Sequence, residues 1–197
     1  MIINVDEVQR VKEYLRTGLN LRFSTFDSKL RKFLYEHTIL TGGAISSSFY
    51  NESPNDWDLY FKDEAWIQKF KSYIVIDEMM RENGVKDINP KYMVETEVEG
   101  KLITANAVTF NNNVQVITMD SNKMREAFDF IHCMPYYDML NDKLYISQIQ
   151  YEAIKNKKLI RNPKCKNPTS NRRLFKFKER GWTLEREVIR LYLLCFL

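Results

Sequence analysis

Val8, Val11 and Leu15, and then Phe26, Leu30 and Phe33, recur three or four residues apart. This spacing predicts helices over 6–17 and 26–36, each with one apolar face. Thr38-Ile39-Leu40 is a short apolar run that ends in Gly42-Gly43, and Ala44 to Phe49 opens another helix. Asn51-Glu52-Ser53-Pro54-Asn55 is dense in turn formers. Asp56-Trp57-Asp58-Leu59-Tyr60-Phe61 predicts a strand, polar at its start and aromatic beyond it. Asp63 caps a long helix from about Glu64 to Glu82, which Asn83-Gly84 stops. From Lys91 the texture turns to β. Tyr92–Val98, Leu102–Phe110 and Val114–Thr118 are β-rich, with turns at Glu99-Gly100 and Asn111-Asn112-Asn113. Ala127 to Met134 predicts another strand, ended by Pro135. Gln148 to Lys158 reads as a helix, and Arg161 to Ser170 as a loop holding Pro163 and Pro168. Ser170 or Asn171 caps a helix to Arg180 with Gly181 as its stop, and Glu185 to Cys195 predicts a last helix. No internal repeat is visible. This order predicts an α/β (α+β) chain: a core over 1–146 and a basic helical appendage over 147–197.

Composition narrows the class. The 197 residues are 44% hydrophobic and 13% aromatic, which excludes disorder for the bulk. No apolar run nears the ~18–20 residues of a membrane-spanning helix. Met1-Ile2-Ile3-Asn4-Val5-Asp6 has no basic start and no long apolar run, so no secretory signal is expected. Cys133, Cys165 and Cys195 are odd in number and far apart, which argues for a reducing compartment and a cytoplasmic setting. The net charge of +4 hides an asymmetry: Lys155 to Arg180 holds eleven Lys or Arg and the single acid Glu179. A basic C-terminal segment on an otherwise acidic body is suited to RNA or another polyanion met from one side. A solvated basic face accounts for the same charges.

Three features carry candidate chemistry. Gly42-Gly43 stands between a short strand and a helix, where glycine lets the backbone approach a ligand closely. Asp56 and Asp58 stand two apart on a strand, so both carboxylates face one side, roughly 6–7 Å apart at Cα. Trp57 and Leu59 face the other side. Such carboxylates repel unless a cation sits between them. Mg²⁺ or Mn²⁺ is the natural partner, and two such ions ~3.5–4 Å apart form the clamp of nucleotidyl transfer. Third, Asp129 lies within Phe128-Asp129-Phe130-Ile131. A carboxylate in an apolar stretch needs a metal, an Arg or backbone N–H groups. His37 and His132 are the only histidines and no Cys-x-x-Cys exists, so a His-rich zinc site is not expected. Tyr136, Tyr137, Phe175 and Phe177 either fill a core or stack nucleobases.

Thr41-Gly42-Gly43-Ala44-Ile45, a spacer of twelve residues, Asn55-Asp56-Trp57-Asp58-Leu59-Tyr60 and a later acid together resemble the nucleotidyltransferase superfamily. That superfamily includes DNA polymerase beta, poly(A) polymerases and CCA-adding enzymes. The likeness is nearest the CCA-adding and poly(A) polymerase branch. Phe128-Asp129-Phe130-Ile131-His132-Cys133 and Asn171-Arg172-Arg173-Leu174-Phe175-Lys176-Phe177-Lys178-Glu179-Arg180-Gly181-Trp182 resemble versions in viral and hypothetical members. There are departures: Ser46-Ser47 stand where CCA-adding enzymes carry an Arg-Asp pair, and their base-selecting acidic–Arg motif is not recognisable.

The resemblance implies a nucleotidyltransferase-type mixed sheet with flanking helices and a metal-dependent transfer of an NMP from an NTP, such as ATP, to a hydroxyl. The acceptor is an RNA end or a protein side chain. Two Mg²⁺ (or Mn²⁺) ions are expected on Asp56, Asp58 and Asp129, with Asp120 as the substitute third acid. Gly42, Gly43, Ser46 and Ser47 are expected at the triphosphate, with Arg172, Arg173 and Lys176 facing the triphosphate or the acceptor. No membrane contact is expected, and the setting is the host cytoplasm if the chain is viral. The rival from another class is a catalytically silent protein of this fold, nucleic-acid-binding or virion-associated.

Overall fold

The computed structural model describes residues 2–81, 96–98, 101–104, 106–120, 123–124, 128–165 and 169–184. The predicted elements at Asn83-Gly84, over most of Tyr92–Thr96, at Glu99-Gly100 and at Glu185–Cys195 lie outside the described residues.

Helix α1 (Val5–Phe23) buries Val11, Leu15, Leu19 and Phe23, a stripe of four-residue steps. Asn4 caps it by accepting the Glu7 N–H, and Asp6 and Glu7 in its first turn complement the helix dipole. Helix α2 (Ser28–His37) starts at Asp27, whose carboxylate accepts from the Lys29 and Leu30 N–H groups. It runs directly into β1 (Thr38–Thr41), every residue of which is buried. Gly42 then turns the chain at φ 82° into the short helix α3 (Gly43–Ser48). Strand β2 (Trp57–Phe61) alternates, with Trp57, Leu59 and Phe61 buried on one face and Asp58 and Tyr60 partly exposed on the other. Helix α4 spans Glu64–Arg81.

The β-rich middle supplies β3 (Thr96–Val98), β4 (Lys101–Thr104), β5 (Ala107–Phe110) and β6 (Val114–Asp120). After them come β7 (Tyr136–Asp138) and β8 (Lys143–Tyr145), which the sequence pattern did not predict. All eight join one sheet in the order β3-β4-β5-β6-β2-β1-β7-β8. Only the β2–β6 pairing is parallel; the others are antiparallel. The mixed α/β class is therefore as expected. Helix α5 (Gln148–Lys155) follows, opened by a Ser147–Gln150 capping box. Strand β9 (Lys158–Leu159), helix α6 (Asn171–Glu179) and strand β10 (Thr183–Leu184) close the described chain, β9 and β10 pairing in parallel.

The predicted strand Ala127–Met134 is corrected by the structure. Phe130 makes an isolated bridge to Arg161, and Ile131–Cys133 is a single 3₁₀ turn. The Cys133 and Met134 N–H groups bond back to the Phe130 and Ile131 carbonyls, which leaves no ladder to extend. Asp129 is thus a bend residue, held where the Asn162 N–H reaches its carbonyl at 2.8 Å.

One apolar cluster runs through the whole fold, from Leu15 and Leu19 of α1 through Leu40 and Leu59 to Tyr151, Leu159, Leu174 and Trp182. Gly18 on α1 has a packing reason. A Cβ there would lie 2.3 Å from Trp57 Cη2, so the benzo edge of the indole occupies the space a side chain would need. The Arg22 guanidinium covers the same ring at 4.3 Å. Among the described residues no helix is long and apolar enough to cross a membrane.

Candidate active site

The central strands β6, β2 and β1 bring their functional ends together. Thr41 at the end of β1 pairs with Asp58 on β2, and Asp58 pairs with Gln115 on β6. A cavity of about 280 Å³ opens above this point. It is lined by Gly43, Ser46 and Ser47 of α3, by Asp56, Asp58 and Gln115, and by Arg173, Lys176, Phe177 and Arg180 of α6 and its cap. Tyr50, Glu52, Asn55, His132, Cys133 and Trp182 complete the lining.

The cavity's back wall is stitched to the Gly42 turn. The Gly42 N–H donates to the Cys133 carbonyl at 3.2 Å, and the Ser46 hydroxyl donates to the His132 carbonyl at 2.9 Å. Thr41 Oγ1 lies 2.8 Å from the Pro135 carbonyl. These bonds use the Gly42 donor and the Ser46 hydrogen, while Gly43 and Ser47 keep open faces. Gly42 sits so near the acid pair that a Cβ there would lie 3.0 Å from Asp58 Oδ2.

Burial raises the Asp58 pKa to about 6, the neighbouring Asp56 charge adds to this, and Arg173 and Lys176 oppose it. Asp56 itself is exposed. Burial, with Arg173 nearby, holds the His132 ring down to about 3, so it is neutral at pH 7. Its ring is wedged 4.0 Å from that of Trp182 and 4.9 Å from that of Phe177, and its Nδ1 has no hydrogen-bond partner among the described residues. The buried Cys133 thiol is pushed up to about 12 and stays protonated, so it is no nucleophile.

The structure brings Asp56, Asp58, Gly43, Ser46, Ser47, Arg173 and Lys176 to one cavity, with Gly42 behind Asp58. It does not bring Asp129 there. Asp129 is buried, and its Oδ2 pairs with Arg173 Nε at 2.9 Å while Oδ1 has no partner among the described residues. Asp120 pairs with Phe61 at the far end of β2 from Asp58. Arg172 is exposed and is not part of the lining. Helical arithmetic explains the choice between the two arginines: residues 173, 176, 177 and 180 fall on one face at 100° per residue, and 172 falls off it. That spacing also brings in Phe177, which the sequence offered only as a core or stacking aromatic, and Arg180, to which it gave no site role. Gln115 carried no signal, because it joins the site only through the β2–β6 register.

The donor set fits one hard cation. Asp58 on β2 and Asp56 just before that strand supply carboxylate oxygens two positions apart, and their mutual repulsion is what a divalent ion would relieve. Among the described residues no group of three or more His, Cys, Asp or Glu converges to hold a metal. The position beside Asp58 on the neighbouring strand is the amide Gln115, whose Nε2 donates to Thr109 Oγ1 at 2.9 Å.

The fold is that of nucleotidyltransferases. The chain is similar to the Thermotoga maritima CCA-adding enzyme complexed with tRNA, at 14% identity and a TM-score of 0.52, over 88% of this chain and 43% of that one. A CCA-adding enzyme in complex with CTP matches at 14% identity and a TM-score of 0.52, over 87% of this chain and 42% of its own. The chain thus spans less than half the length of these enzymes. No curated protein matches its sequence. A family model, Gabija anti-defense 2 family protein, matches residues 12–157, about three quarters of the chain. The protein belongs to the Gabija anti-defense 2 family.

Proposed function

We propose that this protein is a metal-dependent nucleotidyltransferase that moves an NMP from an NTP to a hydroxyl on an RNA end or a protein side chain, and that it opposes Gabija defence by doing so. The observation that carries the reading is one cavity that joins the Asp56/Asp58 pair to a cationic helix face, Arg173, Lys176 and Arg180. The solved enzymes of this fold are complexes with tRNA and with CTP, which supports a nucleotide and an RNA as partners.

Asp56 and Asp58 would hold Mg²⁺ or Mn²⁺, which supplies charge neutralisation at the α-phosphate and eases loss of the acceptor proton. The chain's own residues do the rest. Gly42-Gly43 with Ser46 and Ser47 shape the floor against which the β- and γ-phosphates lie. Arg173, Lys176 and Arg180 face the triphosphate from α6 and stabilise charge on the leaving pyrophosphate. The acceptor oxygen bonds to the α-phosphorus, the bond to the pyrophosphate oxygen breaks, and the hydroxyl proton leaves to solvent. Helix α6 and its cap deliver these cations, and Asp129 acts through Arg173, whose guanidinium it orients.

A second reading has its own observation. Asp129 is engaged by Arg173 and Gln115 stands beside Asp58, so a three-carboxylate, two-ion clamp is not assembled. This favours a catalytically silent protein that binds nucleotide or nucleic acid. One experiment separates the two: incubate the protein with each α-labelled NTP, Mg²⁺ or Mn²⁺, and RNA and protein from Gabija-carrying cells. Label on RNA or protein, lost in Asp58→Asn, is expected. Retained NTP binding with no label on any acceptor would favour the silent reading.

A further inference from the structure

Helix α6 has two unlike polar faces. Residues 173, 176, 177 and 180 line the cavity, and Leu174 alone is buried in the core. Turned away from both is Phe175, 57% exposed, the largest apolar group that the helix shows to solvent. At 100° per residue, Arg172 and Lys178 fall about 60° to either side of it, three positions back and three forward. Both are exposed, and neither makes an ion pair among the described residues. Glu179 is the acid on the same side.

An exposed aromatic ring between two cations that make no ion pair among the described residues has a specific use. Every nucleobase has a π-face for the ring, and cations beside the ring attract the phosphates that flank a stacked base. A duplex buries its base faces and offers none to Phe175. We propose that the outer face of α6, centred on Phe175 and flanked by Arg172 and Lys178, docks a single-stranded polynucleotide. Charge complementarity carries the choice of occupant: the exposed Arg172 and Lys178 flank the ring against the one acid Glu179, so the face is cationic beside an exposed aromatic. A helix with its side chains is ~10–12 Å across, so a strand stacked on Phe175 passes within that distance of the cavity on the other face. The strand's role as acceptor rests on the transferase reading above; its binding does not.

The test is fluorescence anisotropy of the full chain with a labelled 12-residue oligoadenylate, as RNA and as DNA, without NTP or metal, over a series of salt concentrations. Phe175→Ala, at an exposed position, is expected to weaken binding about tenfold with the salt slope unchanged, because stacking releases no counterions. Arg172→Ala with Lys178→Ala is expected to flatten the slope of log K against log salt by about 1.4, at ~0.7 per phosphate contact. Glu179→Gln is expected to tighten binding. Asp58→Asn is expected to bind like the parent, so that absence of transferase activity and absence of docking are told apart. The proposal is overturned if the parent binds no oligonucleotide at low salt, if it prefers the duplex of the same length, or if Phe175→Ala changes only self-association. Thermal melts of each variant within 2–3 °C of the parent, as exposed positions should give, confirm that folding is not what changed.

Discussion

Asp58 shows most directly how the site works against the fold that holds it. Its pKa stands at about 6 against an ordinary 3.8, because it is buried beside a second carboxylate. The folded chain holds this proton more tightly than the unfolded chain does, so Asp58 lowers stability as pH rises from about 4 to about 6. At neutral pH the full penalty stands, up to about 3 kcal/mol at ~1.4 kcal/mol per pKa unit, less whatever solvent screens. His132 acts in the opposite sense. Its proton is held more weakly in the fold, at about 3 against 6.5, so its contribution is whole above pH 6.5 and is lost on acidification. The two slopes oppose each other between pH 4 and 6. Asp58→Asn is expected to be more stable than the parent by ~1–3 kcal/mol at pH 7 by denaturant melts. It should also destabilise more steeply than the parent from pH 6 down to pH 4. A variant less stable than the parent at pH 7 would refute the repulsion.

Asp129 is the other residue whose role turns on its partner. With Arg173 Nε at 2.9 Å, it is a structural acid before it is anything else. Arg173→Met leaves a buried carboxylate unpaired and is expected to cost ~2–4 kcal/mol, more than Asp129→Asn at ~1 kcal/mol. Mn²⁺ affinity, followed by calorimetry, should survive Asp129→Asn and fail in Asp56→Asn with Asp58→Asn. Loss of Mn²⁺ binding in Asp129→Asn with an unchanged melt would return it to the metal.

At the scale of elements, α1 and β2 meet at one contact that also sets the acid pair. Trp57 lies between Asp56 and Asp58 and points to the opposite face, onto Gly18. Gly18→Ala would usually help a helix by ~1 kcal/mol. Here its methyl would drive into the indole at 2.3 Å, so the variant is expected to lose ~1–3 kcal/mol. Because Trp57 stands between the two carboxylates in the chain, Mn²⁺ affinity should fall with it. The reading is wrong if Gly18→Ala melts at or above the parent's temperature. Helix α6 makes the same point in another way: three residues of one nine-residue helix serve three surroundings, Arg173 the cavity, Leu174 the core and Phe175 the solvent.

At the scale of the whole molecule, the described part of the basic C-terminal quarter is bound into the body. Tyr151 and Lys155 both reach Glu7 at 2.7 Å, and Ile154, Leu159, Leu174 and Trp182 belong to the same apolar cluster as α1. A chain ending at residue 146 would lose these side chains, each worth ~1.5–3 kcal/mol of burial. It is expected to lose its cooperative melt and the near-ultraviolet signal of packed aromatics. A truncated chain that melts like the parent would make 147–197 a true appendage.

Much of this was legible along the chain, and the reason is periodicity. The helices expected over 6–17 and 26–36 came from three- and four-residue steps, and those from Glu64 and from Ser170 or Asn171 came from capping and stop residues; α1 extends beyond its expected end to Phe23. Asp56 and Asp58 were expected to face one side from the two-residue repeat, and both line the cavity although Asp56 stands just before β2. The α/β class and the acid-pair strand behind the Gly42-Gly43 turn were likewise determined locally. The short strands β7 to β10 were not legible, since two or three residues show no period and form only because a partner edge is there. Only the tertiary structure decided who stands beside Asp58 and who holds Asp129. Gln115 arrives through the register of two strands distant in sequence, and Arg173 through the docking of α6 on the core. No local propensity encodes either distance; both are set by how apolar faces pack, and with them whether three acids share a metal or one shares an arginine.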